Sequence, residues 1–328
     1  MFDDSLLDDP LALSVRGDLV HKLALTGARL RCERSEEMAT IVAKLGGLQP
    51  RTILVIGAES RLIRAIVECG SPVPCVAWQM ETLPAWTGPL DMVIVLTGPD
   101  SRWIPLSREA MRRGSMIFMV APQDSKAVIE ATAVPKLVTH DEDPFLAALL
   151  ALKVLDLLGL GPALDLNLVA DTLDEVAEIS GPRHGLETNP AKNLSCALAD
   201  AVPLVWGAST LAARASRRVA EALREATGLP ALAADDAALA PLIQAAHPHD
   251  VFADPFEQAT VKTDFCLLVL DDGESSVGTM DLARLAEGRS LRVERITFSH
   301  ENPIVRYAGL LYQGLYAAAY VGLATMKE

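Results

Sequence analysis

Residues 91–122 read DMVIVLTGPDSRWIPLSREAMRRGSMIFMVAP. An apolar run from Met92 to Leu96 ends at Thr97-Gly98. An amphipathic segment follows as far as Gly114, and a second apolar run spans Ser115–Val120. Two strand-length apolar runs, separated by a helix-period segment and a glycine stop, predict one βαβ unit of a parallel sheet. The turn after the first run then lies at the carboxyl end of its strand. Ligands of open α/β sheets bind there, often with an anion against the following helix N-terminus. Thr97, Gly98 and Ser101 supply hydroxyls and close backbone approach for such a cradle. Asp100 opposes an anion and Arg102 offsets it; the plainer use of the same residues is a β–α turn with a helix cap.

Working outward, Arg51–Gly57 (RTILVIG) is a second buried strand, running into Ala58-Glu59-Ser60 and a helix through Val67. Val73–Trp78 and Val134–His140 are further strands. Residues 1–50 carry helical spacing (Val20, Leu23, Leu30, Met38, Ile41, Leu45) closed by Gly46-Gly47. Phe145–Leu160 is a long apolar helix, too short and too charged to span a bilayer. A second set starts at Val202–Trp206, with a loop Gly207-Ala208-Ser209-Thr210, a helix Leu211–Thr227, and strands Phe265–Leu270 and Leu291–Phe298. Gly207, Ser209 and Thr210 form a second candidate cradle, with Ser209 equally a plain N-cap. Asn302-Pro303 begins a last helix, to about Thr325. That helix is apolar almost all round, yet Arg306, Gln313 and three glycines interrupt it; it reads as a buried helix shared between domains or subunits, not a membrane span.

The two sets echo each other. ILVIGAESRLI (Ile53–Ile63) and LVWGASTLAAR (Leu204–Arg214) are both strand, Gly-Ala, small polar residues, helix. The expected fold is therefore α/β, with two subdomains, each a parallel sheet flanked by helices. The expected division is 1–143 for the first subdomain, 144–175 for a bridging helix and 176–328 for the second subdomain.

Composition narrows the function. The 328 residues are 50% hydrophobic and 22% charged, enough for a large core in two domains. A net charge of −14 with no basic cluster argues against nucleic acid and anionic membranes as partners. The five cysteines (Cys32, Cys69, Cys75, Cys196, Cys266) are scattered, with no metal-type spacing, and predict buried, reduced thiols in a cytoplasmic protein. The N-terminus MFDDSLLDDP has no signal-peptide apolar core.

The order of elements resembles the SIS (sugar isomerase) fold, and more specifically the bifunctional phosphoglucose/phosphomannose isomerase family with its two SIS subdomains. Asp91–Gly114, Val202–Ala231 and Tyr307–Thr325 carry the likeness, about a quarter of the chain. The resemblance implies a sugar phosphate as ligand, no cofactor and no metal. It implies aldose–ketose isomerisation of glucose 6-phosphate or mannose 6-phosphate and fructose 6-phosphate, by a glutamate base through an enediolate. Such chemistry needs a carboxylate between C1 and C2, a donor that opens the ring, a cation facing the enediolate and an anion cradle.

Carried over by position, Glu225 in EALREATGLPA is the base and His247 or His249 in HPHD assists ring opening. Read from its surroundings alone, Glu225 belongs to a solvated helix face with Arg217, Arg218 and Glu221. Two family features are missing. The arginine after a proline at the start of the bridging helix is replaced by Phe145, and the C-terminal lysine has only Lys327 as a poor counterpart. Two functions follow: an active isomerase, or a degenerate SIS protein that binds a sugar phosphate as sensor or scaffold. The apolar last helix adds the expectation of a homodimer.

Overall fold

In the computed structural model, residues 2–32, 35–68, 70–98, 101–246, 264–274 and 280–325 are described. Among the described residues, nine strands form two separate parallel sheets. The first holds β1 (Thr52–Gly57), β2 (Cys75–Trp78), β3 (Asp91–Leu96), β4 (Met116–Pro122) and β5 (Lys136–Thr139), in the order β2-β1-β3-β4-β5. The second holds β6 (Val202–Gly207), β7 (Leu232–Ala233), β8 (Phe265–Asp271) and β9 (Arg292–Thr297), in the order β7-β6-β8-β9. The two-subdomain α/β architecture expected from the sequence is thus present, and the short β7 is an addition to it.

Helices precede and link the strands: α1 (Pro10–Arg16), α2 (Asp18–Ala24), α3 (Thr26–Arg31), α4 (Ser35–Leu45), α5 (Ser60–Val67), α6 (Ile104–Arg112), α7 (Lys126–Glu130) and α8 (Pro144–Leu157). They continue as α9 (Leu166–Ser180), α10 (Pro190–Ala199), α11 (Thr210–Thr227), α12 (Asp236–Ala245), α13 (Leu282–Gly288) and α14 (Pro303–Ala324).

Both sheets owe their order to the same sequence logic. The central strands TILVIG, DMVIVL and FCLLVLD are apolar on both faces and almost wholly buried, as strands covered by helices on two sides must be. β1 pairs with β3 from Thr52↔Asp91 to Gly57↔Leu96, and β6 pairs with β8 from Val202↔Phe265 to Gly207↔Leu270. At each of these junctions the chain order reverses, so the loops after the two neighbouring strands part and leave a crevice at the carboxyl ends. Gly57 is held at φ +116°, and a Cβ there would lie 1.9 Å from the Leu96 carbonyl oxygen; the close β1–β3 approach at the crevice needs glycine.

The chain divides into two compact units, residues 29–167 with the first sheet and residues 1–28 plus 168–328 with the second. This differs from the sequence-based division in two places. The N-terminal residues group with the second sheet because they are tied to it: Asp3 N–H donates to the Ala324 carbonyl at 2.9 Å, and Lys192 Nζ donates to Asp8 Oδ1 at 2.7 Å. Lys192 is fully buried and its ammonium lies 5.4 Å from the Tyr320 ring centre. The α8 helix, expected as a bridge, instead packs on β3, β4, α4 and α5 of the first unit.

The α14 helix is the core of the second unit. Tyr307, Tyr312, Tyr316 and Tyr320 are fully buried, and α11, α10 and α2 cover the helix. Its all-round apolar character is therefore accounted for within its own unit. Gly314 permits the closest part of the α11 contact, since a Cβ there would lie 2.3 Å from Val219 Cγ2. Among the described residues, no helix is long and apolar enough to cross a membrane.

Candidate functional site

In the first unit the crevice opens into a cavity of about 420 Å³ lined by the turns after β1, β3, β4 and β5. Thr97 and Gly98 are part of its lining. Thr97 is buried, its amide donating to the Val120 carbonyl at 3.0 Å and its hydroxyl to the Gly98 carbonyl at 3.1 Å. Ser101 opens a 3-10 turn that leads into α6, whose N-terminus has no side-chain cap. Arg102 lines the cavity and lies over the Trp103 ring at 4.7 Å, a cation–π contact that steadies it at the rim.

Two carboxylates share this cavity. Asp143 caps α8: one of its oxygens accepts the amides of Phe145 and Leu146, each at 3.0 Å. Those two N–H groups are therefore engaged before any anion arrives. Glu142 is exposed and makes no hydrogen bond or ion pair with the described residues. Its Oε1 would lie 2.7 Å from a Cβ built on Gly98, so the absence of a side chain at Gly98 makes room for that carboxylate.

The corresponding crevice of the second unit is arranged differently. Gly207 ends β6 beneath the first turn of α11. The Ser209 hydroxyl accepts the Ala212 amide at 3.0 Å and donates to Asp272 Oδ2 at 2.6 Å. Asp272 is buried, and its other oxygen accepts the Glu274 amide at 3.2 Å. Thr210 is exposed as the first residue of α11. A buried carboxylate already holds the hydroxyl that was to hold a phosphate.

Glu225 stands in the last turns of α11, exposed and with no partner among the described residues. Its neighbours form the expected solvated network, Arg217 and Arg218 pairing with Glu221. His247, His249 and Lys327, together with Pro99 and Asp100, lie outside the described residues. The structure thus brings Thr97, Gly98 and the start of α6 to one cavity in the first unit. Gly207, Ser209 and Thr210 meet at the start of α11 in the second.

The sequence reading missed Glu142 and Asp272. It also passed over Asp143, although Asp immediately before a proline and an apolar run is an N-cap signature that could have found it. Cys75 and Cys266 are buried as expected, whereas Cys196 is half-buried and Cys32 exposed; burial, then the nearby Glu68, pushes Cys75 up to about 12, and burial, then Glu294, does the same for Cys266. Among the described residues, no cluster of three or more His, Cys, Asp or Glu side chains could hold a metal ion.

Comparison with known proteins places this architecture. Residues 187–327 match the family model of the bacterial phospho-glucose isomerase C-terminal SIS domain. A glucose-6-phosphate isomerase like protein from Thermus thermophilus is similar over 97% of this chain and 92% of its own, at 14% identity and a TM-score of 0.60. Tagatose-6-phosphate ketose/aldose isomerase from Escherichia coli is similar over 95% and 94%, at 12% identity and a TM-score of 0.64. Curated protein sequences give no significant match. Residues 187–327 thus carry a direct sequence match to an SIS domain, and the chain shares the fold of these phosphosugar isomerase-like structures.

Proposed function

We propose that the protein binds a sugar phosphate in the cavity at the carboxyl ends of β1, β3, β4 and β5. The observation that carries this reading is the 420 Å³ cavity itself, at the strand-order reversal, with Thr97, Gly98 and Arg102 in its lining. The phosphate would take the Gly98 amide, the uncapped start of α6 and the Arg102 guanidinium, beside Thr97, whose own amide is held by Val120; the sugar hydroxyls would meet Thr139 and the carboxylates. By contrast, the Ser209–Asp272 pair argues against the second cradle as the phosphate site.

A second reading is that the bound sugar is isomerised, with Glu225 as base and His247 or His249 assisting. The family match over the segment that carries these residues supports it, whereas the exposure of Glu225 is what the solvated helix face alone would give. Phe145 in place of the arginine that would face an enediolate weighs toward binding without turnover, as a sensor or scaffold. A homodimer is part of the proposal only where a second subunit completes this site.

Calorimetry with a five-carbon sugar-acid phosphate, an enediolate mimic, tests the first reading: saturable binding is expected, and its absence from the wild-type chain refutes it. A coupled assay with fructose 6-phosphate and mannose 6-phosphate tests the second. Turnover that disappears in Glu225→Gln while the mimic still binds supports isomerisation; no turnover in the wild type leaves the binding protein.

A further inference from the structure

We infer that Glu142 sets the ligand class of this cavity, selecting a sugar phosphate that also carries an ammonium group over the neutral-sugar phosphate. The inference rests on the proposed sugar-phosphate site and concerns which member of that ligand class fits it.

The charges of the described lining are Arg102, Glu142 and Asp143. Asp143 is engaged by the first turn of α8 through the amides of Phe145 and Leu146. Glu142 has no such engagement among the described residues. It sits on the glycine of the very loop that is to receive the phosphate, close enough that a Cβ on Gly98 would meet Oε1 at 2.7 Å. An ionised carboxylate beside a phosphate dianion is repulsive, and the screening of an exposed site weakens this repulsion without reversing it.

The remaining polar features are of the opposite kind. Arg102, steadied on Trp103, and the α6 N-terminus without a side-chain cap both favour an anion. The lining therefore carries an anion-attracting part and an anion-repelling part. A neutral sugar bearing one phosphate satisfies the first and is opposed by the second. A phosphosugar with a protonated amine satisfies both, because the ammonium donates charge-assisted hydrogen bonds to the Glu142 carboxylate while the phosphate takes Arg102 and the helix start. Glu142 acts by contact with ligand, so its removal changes which ligand is preferred and not the fold. Its exposure makes Glu142→Gln a near-neutral change for stability.

The experiment is calorimetry on the full chain and on Glu142→Gln, with glucose 6-phosphate and glucosamine 6-phosphate at pH 7. The expected result is that wild type binds the amino sugar phosphate about ten-fold more tightly, the scale of one charge-assisted hydrogen bond. In Glu142→Gln the preference falls to within about two-fold, because glucosamine 6-phosphate loses its charge-assisted hydrogen bond while relief of the phosphate repulsion acts on both sugars alike. Equal binding of both sugars by wild type, or a preference that survives in Glu142→Gln, overturns the role of Glu142 while leaving a sugar-phosphate site in place. Absence of binding for both sugars, to both proteins, overturns the site and this inference together. Thermal unfolding of the variant, matched to wild type, secures that an altered preference reports on the cavity.

Discussion

The two sheets were built by one plan and finished by different side chains. Each has a central first strand ending in glycine, Gly57 or Gly207, a helix start directly after it, and a neighbouring strand whose exit turn faces the same crevice. After β3 the exit turn is Thr97-Gly98, which leaves a cavity of about 420 Å³. After β8 it begins with Asp272, which reaches back to the Ser209 hydroxyl. The crevice is a property of the strand order; whether it can take an anion is decided by one or two side chains at the turn. A duplicated fold does not duplicate a site.

The largest effect we expect breaks the glycine equivalence. In Gly57→Ala the new Cβ would stand 1.9 Å from the Leu96 carbonyl oxygen with the backbone at φ +116°. Strain and clash act together against rigid backbone, and a loss of about 3–4 kcal/mol is expected. In Gly207→Ala the clash is with the Ala212 backbone at 2.5 Å, without a positive φ, and the expected loss is about 1–3 kcal/mol. Urea unfolding followed at both units checks this; equal losses would mean that the two glycines serve one role.

Next in size is a change that touches one unit alone. Lys192 is fully buried and its ammonium donates to Asp8, whose other oxygen accepts the Leu186 amide at 3.0 Å. Asp8→Asn leaves that ammonium without its carboxylate and is expected to cost about 1–3 kcal/mol. Hydrogen exchange should loosen β6 and β8 while β1 and β3 keep their protection; loosening of both sheets alike would contradict the grouping of residues 1–28 with the second unit. The pH dependence has a definite sign. The Leu186 amide, and after it Lys192, holds the Asp8 carboxyl below the usual carboxylate range. Its contribution is therefore present above about pH 4 and lost as the pH falls further, so Asp8→Asn flattens that acid limb.

Much of this architecture was legible because burial on both faces writes long apolar runs, and Gly, Asn-Pro and Asp-Pro punctuate them. DMVIVL, TILVIG and FCLLVLD announced parallel strands, and Asn302-Pro303 announced α14, whose Asn302 side chain does accept the Ile304 amide. The N-terminal grouping was not legible. It depends on Asp8 meeting Lys192, and no local pattern links residues so far apart in the chain. Nor was the difference between the crevices. Glu142 and Asp272 are ordinary acidic residues in polar turns, and only their placement against Gly98 and Ser209 gives them a role. The all-round apolar α14 pointed outward to a partner subunit in the sequence, whereas α11, α10 and α2 already cover it. Periodicity reports that a face is buried; it does not report by what.

The smallest expected effect on stability is the sharpest test of the comparison, because it pairs one turn residue from each crevice. Gly98→Ala places a Cβ 2.7 Å from Glu142 Oε1, the far end of a flexible, exposed side chain, which can swing away. The fold should lose no more than about 0.5 kcal/mol. The cavity is nevertheless altered where the phosphate is proposed to sit, since the methyl fills the close approach and displaces the carboxylate. Ser209→Ala removes the α11 cap and the donor to Asp272, and should cost about 1 kcal/mol or somewhat more. Calorimetry with the five-carbon sugar-acid phosphate should then show stability and binding changing independently of each other. Gly98→Ala, nearly as stable as wild type, should change the affinity several-fold, on the scale of about 1 kcal/mol at the binding step. Ser209→Ala, the less stable variant, should bind as wild type does. The reverse pattern would move the ligand to the second crevice, where the anion would have to displace Asp272 from Ser209; Asp272→Asn would then strengthen binding, and under the present assignment it does not.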